Sequence, residues 1–227
     1  VNGCKELISI NGRTMLQRTI DELRAAELEG IVIVTSPEKP AIQSTLEESG
    51  EVARGDIIFV EQSKPNGLVD ALEKAIPVCG EEMLVATPDN LYIRHPCPAF
   101  ELMNVYRSSG RSVVGVVPVV GDWGEMLKDT GRVDSLNRVR SSKYRVLSGI
   151  LEKRKNKPFP ITDPPRWRCT GRMVLTSEFW RQTGYDDVEK LGSLASQGRL
   201  FAAELDADYV DVGIPTGLTY AREYYGE

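Results

Sequence analysis

Ile31-Val32-Ile33-Val34-Thr35, entered from Gly30, is an unbroken apolar run of β-branched residues. Such a run suits a parallel strand covered on both faces, not the alternating pattern of a half-wet antiparallel strand. Working outward from it, Thr14 to Leu28 has helical periodicity, with Met15, Ile20, Leu23 and Ala26 broadly on one face and Arg18, Asp21 and Glu22 outside it. On the other side, Pro40 opens a second helix reaching about Ser49, with proline in its favoured first-turn place. Strand Ile57–Val60, helix Leu68–Ile76, strand 83–87, helix Pro98–Tyr106 and strand Ser112–Val117 continue the rhythm. Buried strands alternating with amphipathic helices predict an α/β fold, a mostly parallel sheet with helices on both faces.

After Pro118 the rhythm changes. Arg132–Val139 and Tyr144–Leu151 read as strands joined by a hairpin at Ser141-Ser-Lys143, and Lys153–Trp167 reads as a loop rich in proline and basic residues. Arg172–Leu175 returns to strand, helices follow near 177–182 and 186–197, and Pro215–Tyr224 is the final helix. The expected organisation is one domain over 1–227, with a first part at 1–118 and a smaller, β-rich part at 119–227.

Composition narrows the function. A net charge of −5 argues against a nucleic-acid polymer as partner, because phosphate-backbone affinity needs basic surface. No stretch approaches the roughly 20 apolar residues of a membrane span, and Val1-Asn-Gly-Cys-Lys-Glu6 lacks a secretion pattern. A cytoplasmic setting is expected. Cys4, Cys79, Cys97 and Cys169 form no C-x-x-C pair and His95 is the only histidine, so they read as free thiols and not as zinc ligands.

Two apolar runs end in an acid: Met83-Leu-Val-Ala-Thr-Pro-Asp89 and Tyr209-Val-Asp211. Ligands of open α/β sheets bind outside the carboxyl ends of the strands. Carboxylates there are placed to hold a hard cation such as Mg²⁺, which shares its oxygen ligands with substrate phosphates. Taken alone, Asp89 is most simply a turn former in Pro-Asp-Asn. Gln62-Ser-Lys-Pro-Asn-Gly67 leaves a strand and enters a helix at a glycine, where backbone can approach a ligand and free N–H groups are exposed. The Gln62 amide can both donate to and accept from a base edge, although an ordinary connection has the same spacing. Glu152-Lys153 pairs a group that grips hydroxyls with one that grips phosphate, or forms a surface ion pair in a charged tract. Gly171 is either a place where backbone meets a ligand or a bulge within a strand.

Taken in order, these segments resemble the sugar-1-phosphate nucleotidyltransferases. Cys4-Lys-Glu-Leu-Ile-Ser-Ile-Asn-Gly-Arg-Thr-Met15 is similar to the family's Pro-Lys-x-Leu-Leu-Pro-Val-x-x-Lys-Pro-Met, and Gln62–Leu68 to its base-binding Gln-x-x-x-x-Gly-Leu. Pro88-Asp-Asn90, Ile150-Leu-Glu-Lys153, Cys169-Thr-Gly-Arg-Met-Val174 and Asp211-Val-Gly-Ile-Pro215 resemble its remaining motifs, so the likeness spans nearly the whole chain. It implies a Rossmann-like sheet with a β-rich sugar-binding portion. It also implies transfer of a nucleotidyl group, UTP or dTTP favoured, to a sugar-1-phosphate, with release of pyrophosphate. By the same resemblance Asp89 and Asp211 hold Mg²⁺, Lys5 contacts phosphate, and Gln62 and Gly67 bind the base. Glu152, Gly171 and Gly131 contact the sugar and Lys153 its phosphate.

The chain also departs from the family. Cys4, Ser9, Thr14 and Arg154 stand where its motifs carry proline. Its Gly-Gly-x-Gly-Thr-Arg phosphate loop would stand just before Val1, so the natural protein is expected to carry a further N-terminal segment. A cytidylyltransferase for another phosphorylated alcohol or phosphonate, and an inactive nucleotide-sugar-binding regulator, are the alternatives. A homo-oligomer is compatible with the sequence.

Overall fold

The computed structural model describes residues 4–94, 97–119, 132–138, 145–151 and 166–226. A single 3-10 turn, Lys5–Leu7, leads into the short hairpin β1 (Ser9–Ile10) and β2 (Arg13–Thr14), then helix α1 (Met15–Ala25). Its start is fixed by a capping box: the Gln17 amide donates to Thr14 Oγ1 at 3.2 Å, and the Thr14 amide to Gln17 Oε1 at 3.0 Å. There follow β3 (Ile31–Thr35), α2 (Ala41–Glu48), β4 (Ile57–Glu61), α3 (Leu68–Cys79), β5 (Met83–Ala86), β6 (Asn90–Ile93), α4 (Pro98–Ser109) and β7 (Ser112–Val119). The second part contains β8 (Arg132–Arg138), β9 (Arg145–Leu151), β10 (Arg166–Leu175), α5 (Ser177–Trp180) and α6 (Asp187–Ser196). β11 (Leu200–Glu204), β12 (Asp208–Asp211) and α7 (Pro215–Tyr225) complete the chain.

The main sheet has the order β5-β10-β7-β11-β9-β8. β5, β7, β8 and β11 run one way, while β10 and β9 run against them. β3 and β4 form a separate parallel pair, and β6 pairs antiparallel with β12. The α/β class and its Rossmann-like character follow the expectation. The sheet is mixed because β10, arriving from the second part, inserts antiparallel between β5 and β7, and β9 likewise runs against β11 and β8.

The strand period of two explains why helices cover both faces. From β7, Val114 and Val116 face the core made by α3, α5 and α6, with Leu72, Phe179, Leu191 and Leu194. Val113 and Val117, from the same strand, face Leu102 and Val105 of α4. β10 alternates likewise, with Met173 and Leu175 on the first side and Val174 on the second. A third core joins α1, β3 and α2 through Ile20, Leu23, Ile33 and Leu46. A fourth joins β6, β12 and α7 through Leu91, Val210 and Ala221.

Three readings from the sequence change here. Glu22, placed outside the apolar face of α1, is 7% exposed, because it has an arginine partner in the core. The run Leu200-Phe-Ala-Ala-Glu204, unassigned from sequence, is the strand parallel to β7. Asn90–Ile93 is also a strand, which exists only because Asp208–Asp211 returns to pair with it.

Candidate active site

The β6–β12 ladder assembles the site. Its register sets Asp211 opposite Asn90, and Val210, Tyr209 and Asp208 opposite Leu91, Tyr92 and Ile93. The ladder closes one step further on, where the Val212 amide donates to the carbonyl of Asp89 at 3.0 Å. Asp89, in the turn between β5 and β6, and Asp211, the last residue of β12, are thereby neighbours although 122 positions apart (211 minus 89). Both acids were expected at strand ends of one open sheet. Asp89 does follow the carboxyl end of β5 in the main sheet, whereas Asp211 ends β12, in the two-stranded ribbon outside it.

Lys5 reaches the same place from the N-terminal turn and forms an ion pair with Asp89 Oδ2. Partial burial depresses the pKa of its ammonium, but the Asp89 carboxylate, with Asp211 and Glu6 nearby, outweighs that and leaves it raised. Lys5 therefore stays charged through and above the neutral range. Asp211 is held from the other side, where the Gly213 amide donates to its Oδ1 at 2.7 Å. A side chain at Gly213 would begin 2.9 Å from that oxygen, and one at Gly217 would begin 2.0 Å from the Asp211 carbonyl.

The turn that carries Asp89 is built against β10. A register shift between Cys169 and Met173 bulges this strand away from β7. Gly171 sits in the bulge, and its carbonyl accepts from the Thr87 amide at 2.9 Å. Thr87 Oγ1 in turn donates to Asn90 Oδ1 at 2.7 Å. A Cβ at position 171 would lie 1.9 Å from both of those side-chain oxygens, so only glycine admits this approach. A bulge, one of the two readings of Gly171 from the sequence, is present in the strand.

Gln62 and Gly67 lie together at the start of α3. Gly67 has φ +95°, a conformation glycine adopts without strain. The Gln62 Nε2 donates to the Gly67 carbonyl at 3.1 Å and to Asp70 Oδ2 at 2.7 Å. Both amide hydrogens are thus engaged, which leaves Oε1 as the acceptor it can offer. Asp70 was not singled out from the sequence, where Gly-Leu-Val-Asp reads as an ordinary helix start. Gly131, Glu152 and Lys153 lie outside the described residues, the last two directly following β9, and so does His95. Among the described residues no group of three or more His, Cys, Asp or Glu is placed to hold a metal ion. Cys4, Cys79 and Cys97 carry free thiols, and no helix among the described residues is long and apolar enough to cross a membrane.

The arrangement can do specific chemistry: two carboxylates and an ammonium converge at one ribbon end, and an oriented amide stands at a helix start. Comparison with known proteins bears on the chain as a whole. A family model for the MobA-like NTP transferase domain matches residues 1–153. The UTP–glucose-1-phosphate uridylyltransferase of Staphylococcus haemolyticus is 26% identical over 246 residues, covering 94% of this chain and 81% of the relative. A UTP-bound UGPase from Acinetobacter baumannii has a TM-score of 0.76 at 22% identity, covering 98% of this chain and 85% of the other. A UDP-glucose pyrophosphorylase complexed with UDP-glucose has a TM-score of 0.78 at 20% identity, covering 98% and 90%. At those identities the solved structures speak for the fold. The family match carries further, and with it the resemblance drawn from six motifs: the chain belongs to the MobA-like NTP transferase domain family and is a nucleotidyltransferase.

Proposed function

We propose that the protein transfers the uridylyl group of UTP to a sugar-1-phosphate, with glucose-1-phosphate as the first substrate to try, and releases pyrophosphate. The observation that carries this is the convergence of Lys5, Asp89 and Asp211 at one end of the β6–β12 ribbon. Similarity to a UTP–glucose-1-phosphate uridylyltransferase supports the choice of nucleotide and sugar. Positions 1–118 would form the nucleotide side, and 119–227 the sugar-phosphate side.

The donor set fits Mg²⁺: two carboxylates, hard oxygen ligands, come together from the β5–β6 turn and the end of β12 and leave positions for phosphate oxygens. Asp89 and Asp211 would hold the ion. When bound, it would neutralise repulsion between the two phosphorylated reactants and polarise the phosphorus attacked. The chain's own work is positioning and charge stabilisation, which phosphoryl-type transfers mainly require. The ammonium of Lys5, released from Asp89, would bind the phosphate on which charge develops. Gln62 Oε1 and the Gly67 backbone would hold the base edge. Glu152 and Gly171 would contact sugar hydroxyls, with Gly131 a further contact, and Lys153 would hold the sugar phosphate. No general base is needed, since a phosphate monoester with a second pKa of about 6 is already ionised at neutral pH.

The test is pyrophosphate release with glucose-1-phosphate and each of UTP, dTTP and CTP, with and without Mg²⁺. The expected result is Mg²⁺-dependent release with UTP, reduced by about 10²- to 10³-fold in Asp89→Ala and in Asp211→Ala. Release that both variants retain would overturn the assignment of the acids. Release with CTP alone would replace the proposed nucleotide.

A further inference from the structure

Beneath the Asp89 turn lies a charged pair that the proposed reaction does not touch. Glu22 of α1 and Arg172 of β10 are 7% and 1% exposed. Arg172 grips the carboxylate with two groups: Nη2 donates to Oε2 at 2.7 Å, and Nε donates to Oε1 and Oε2 at 3.0 and 3.1 Å. Its remaining nitrogen points the other way. Nη1 donates to the carbonyl of Thr87 at 2.7 Å and to that of Gly171 at 3.2 Å. Glu22 Oε1 also accepts from the amide of Ala99 at 3.0 Å, at the start of α4. The guanidinium lies 4.9 Å from the centre of the Tyr92 ring on β6, and Tyr92 packs edge-on against Tyr209 of β12.

A buried ion pair contributes little net stability compared with apolar side chains of the same volume. What an apolar pair cannot do is donate a hydrogen bond to the Thr87 carbonyl, two residues before Asp89. We infer that Glu22 and Arg172 are positioning residues for the Asp89 carboxylate: the buried pair locks the Thr87–Asn90 turn onto the β10 bulge and aims the acid at Asp211. Neither residue reaches the reacting groups, and both act through the Thr87 carbonyl. The inference rests on the role proposed for Asp89, but the order of the turn is measurable without any metal or substrate.

Two variants test it. Arg172→Lys keeps the charge but not the planar fork that serves Glu22 and Thr87 at once. The double variant Glu22→Met with Arg172→Met removes both charges and fills the space. The first readout is amide hydrogen exchange across residues 87–91 in the metal-free protein. The second is Mn²⁺ binding in the presence of UTP, followed by electron paramagnetic resonance. The expected outcome is two folded variants with exchange at 87–91 faster by tenfold or more and Mn²⁺ binding weakened by about 10- to 100-fold, the range seen when partners of metal ligands are removed. A folded variant with wild-type exchange across the turn overturns the inference. Unfolding of both variants also overturns it, since the pair would then determine the fold and not the turn. If the wild type binds no Mn²⁺ with UTP, the metal role of Asp89 fails, whereas faster exchange in the variants still supports the brace.

Discussion

The two halves of the candidate site are held in opposite ways. At the start of α3 the Gln62 amide is oriented by bonds to partners 5 and 8 positions away, on a partly exposed loop. At the ribbon end, Lys5 bonds a partner 84 positions away, and the brace under the Asp89 turn spans 150. The first arrangement is local and soft, requiring little beyond a strand, a turn and a helix start. The second exists only once α1, β5, β6, β10 and β12 have all assembled. A base-recognition loop can adapt to its ligand at small cost. Two like-charged carboxylates set side by side repel, and the Lys5 ammonium together with a rigid surround keeps them there.

Breaking that rigid side should have the largest effect. Glu22→Ala would leave the buried guanidinium of Arg172 without its counter-charge, and breaking a buried pair in this way costs about 3–5 kcal/mol. Urea unfolding should show the loss as a lower midpoint at an unchanged slope. A change below about 1 kcal/mol would mean that water reaches this core and the contrast drawn above is false.

Next comes Gly171→Ala. The new methyl would displace the Thr87 and Asn90 side chains from 1.9 Å contacts, an overpacking cost of about 1–3 kcal/mol. Thermal melting reads that cost. Because the displaced groups belong to the turn, Mg²⁺ half-saturation should rise in the same variant. A stability loss with unchanged metal dependence would separate the bulge from the site.

The smallest effect is expected on the local side. Asp70→Ala removes one bond from a partly exposed amide, worth about 1 kcal/mol or roughly fivefold in the KM for UTP. Global stability should scarcely move, because its neighbouring pair with Lys74 is a surface one, 3.9 Å long. Steady-state kinetics beside a melting curve would show it. A change in kcat with KM untouched would place Asp70 in the chemistry and not in base orientation.

Much of the first part was legible in the chain. The apolar run at Ile31–Thr35 and the helix periodicities of Met15–Ala25 and Ala41–Glu48 come from nearest-neighbour patterning, which the fold obeys. Gln62, Gly67, Asp89 and Asp211 stood out in the chain because turn residues and strand-end acids form short motifs, and the structure sets Gln62 beside Gly67 and Asp211 beside Asp89. Asn90–Ile93 was not readable as a strand, since four residues carry little signal until Asp208–Asp211 pairs with them. Arg172 was read only as part of a strand, and Glu22 was assigned to the wet face of α1 because a carboxylate on a helix is nearly always solvated.

Sequence by itself determined the α/β class and most of the order of the elements, β6 and β11 excepted, and it offered residue types suited to phosphate and base, since each depends on local periodicity and side-chain chemistry. Tertiary structure alone decided that Asp89 and Asp211 adjoin, that β10 enters the sheet between β5 and β7, and that a buried glutamate and arginine lie beneath the turn. Those outcomes depend on pairings across 47 to 150 positions, from Arg166 opposite Val119 (166 minus 119) to Arg172 on Glu22. Their energy comes from desolvation and hydrogen-bond geometry at the meeting point, and no local pattern in the chain encodes either.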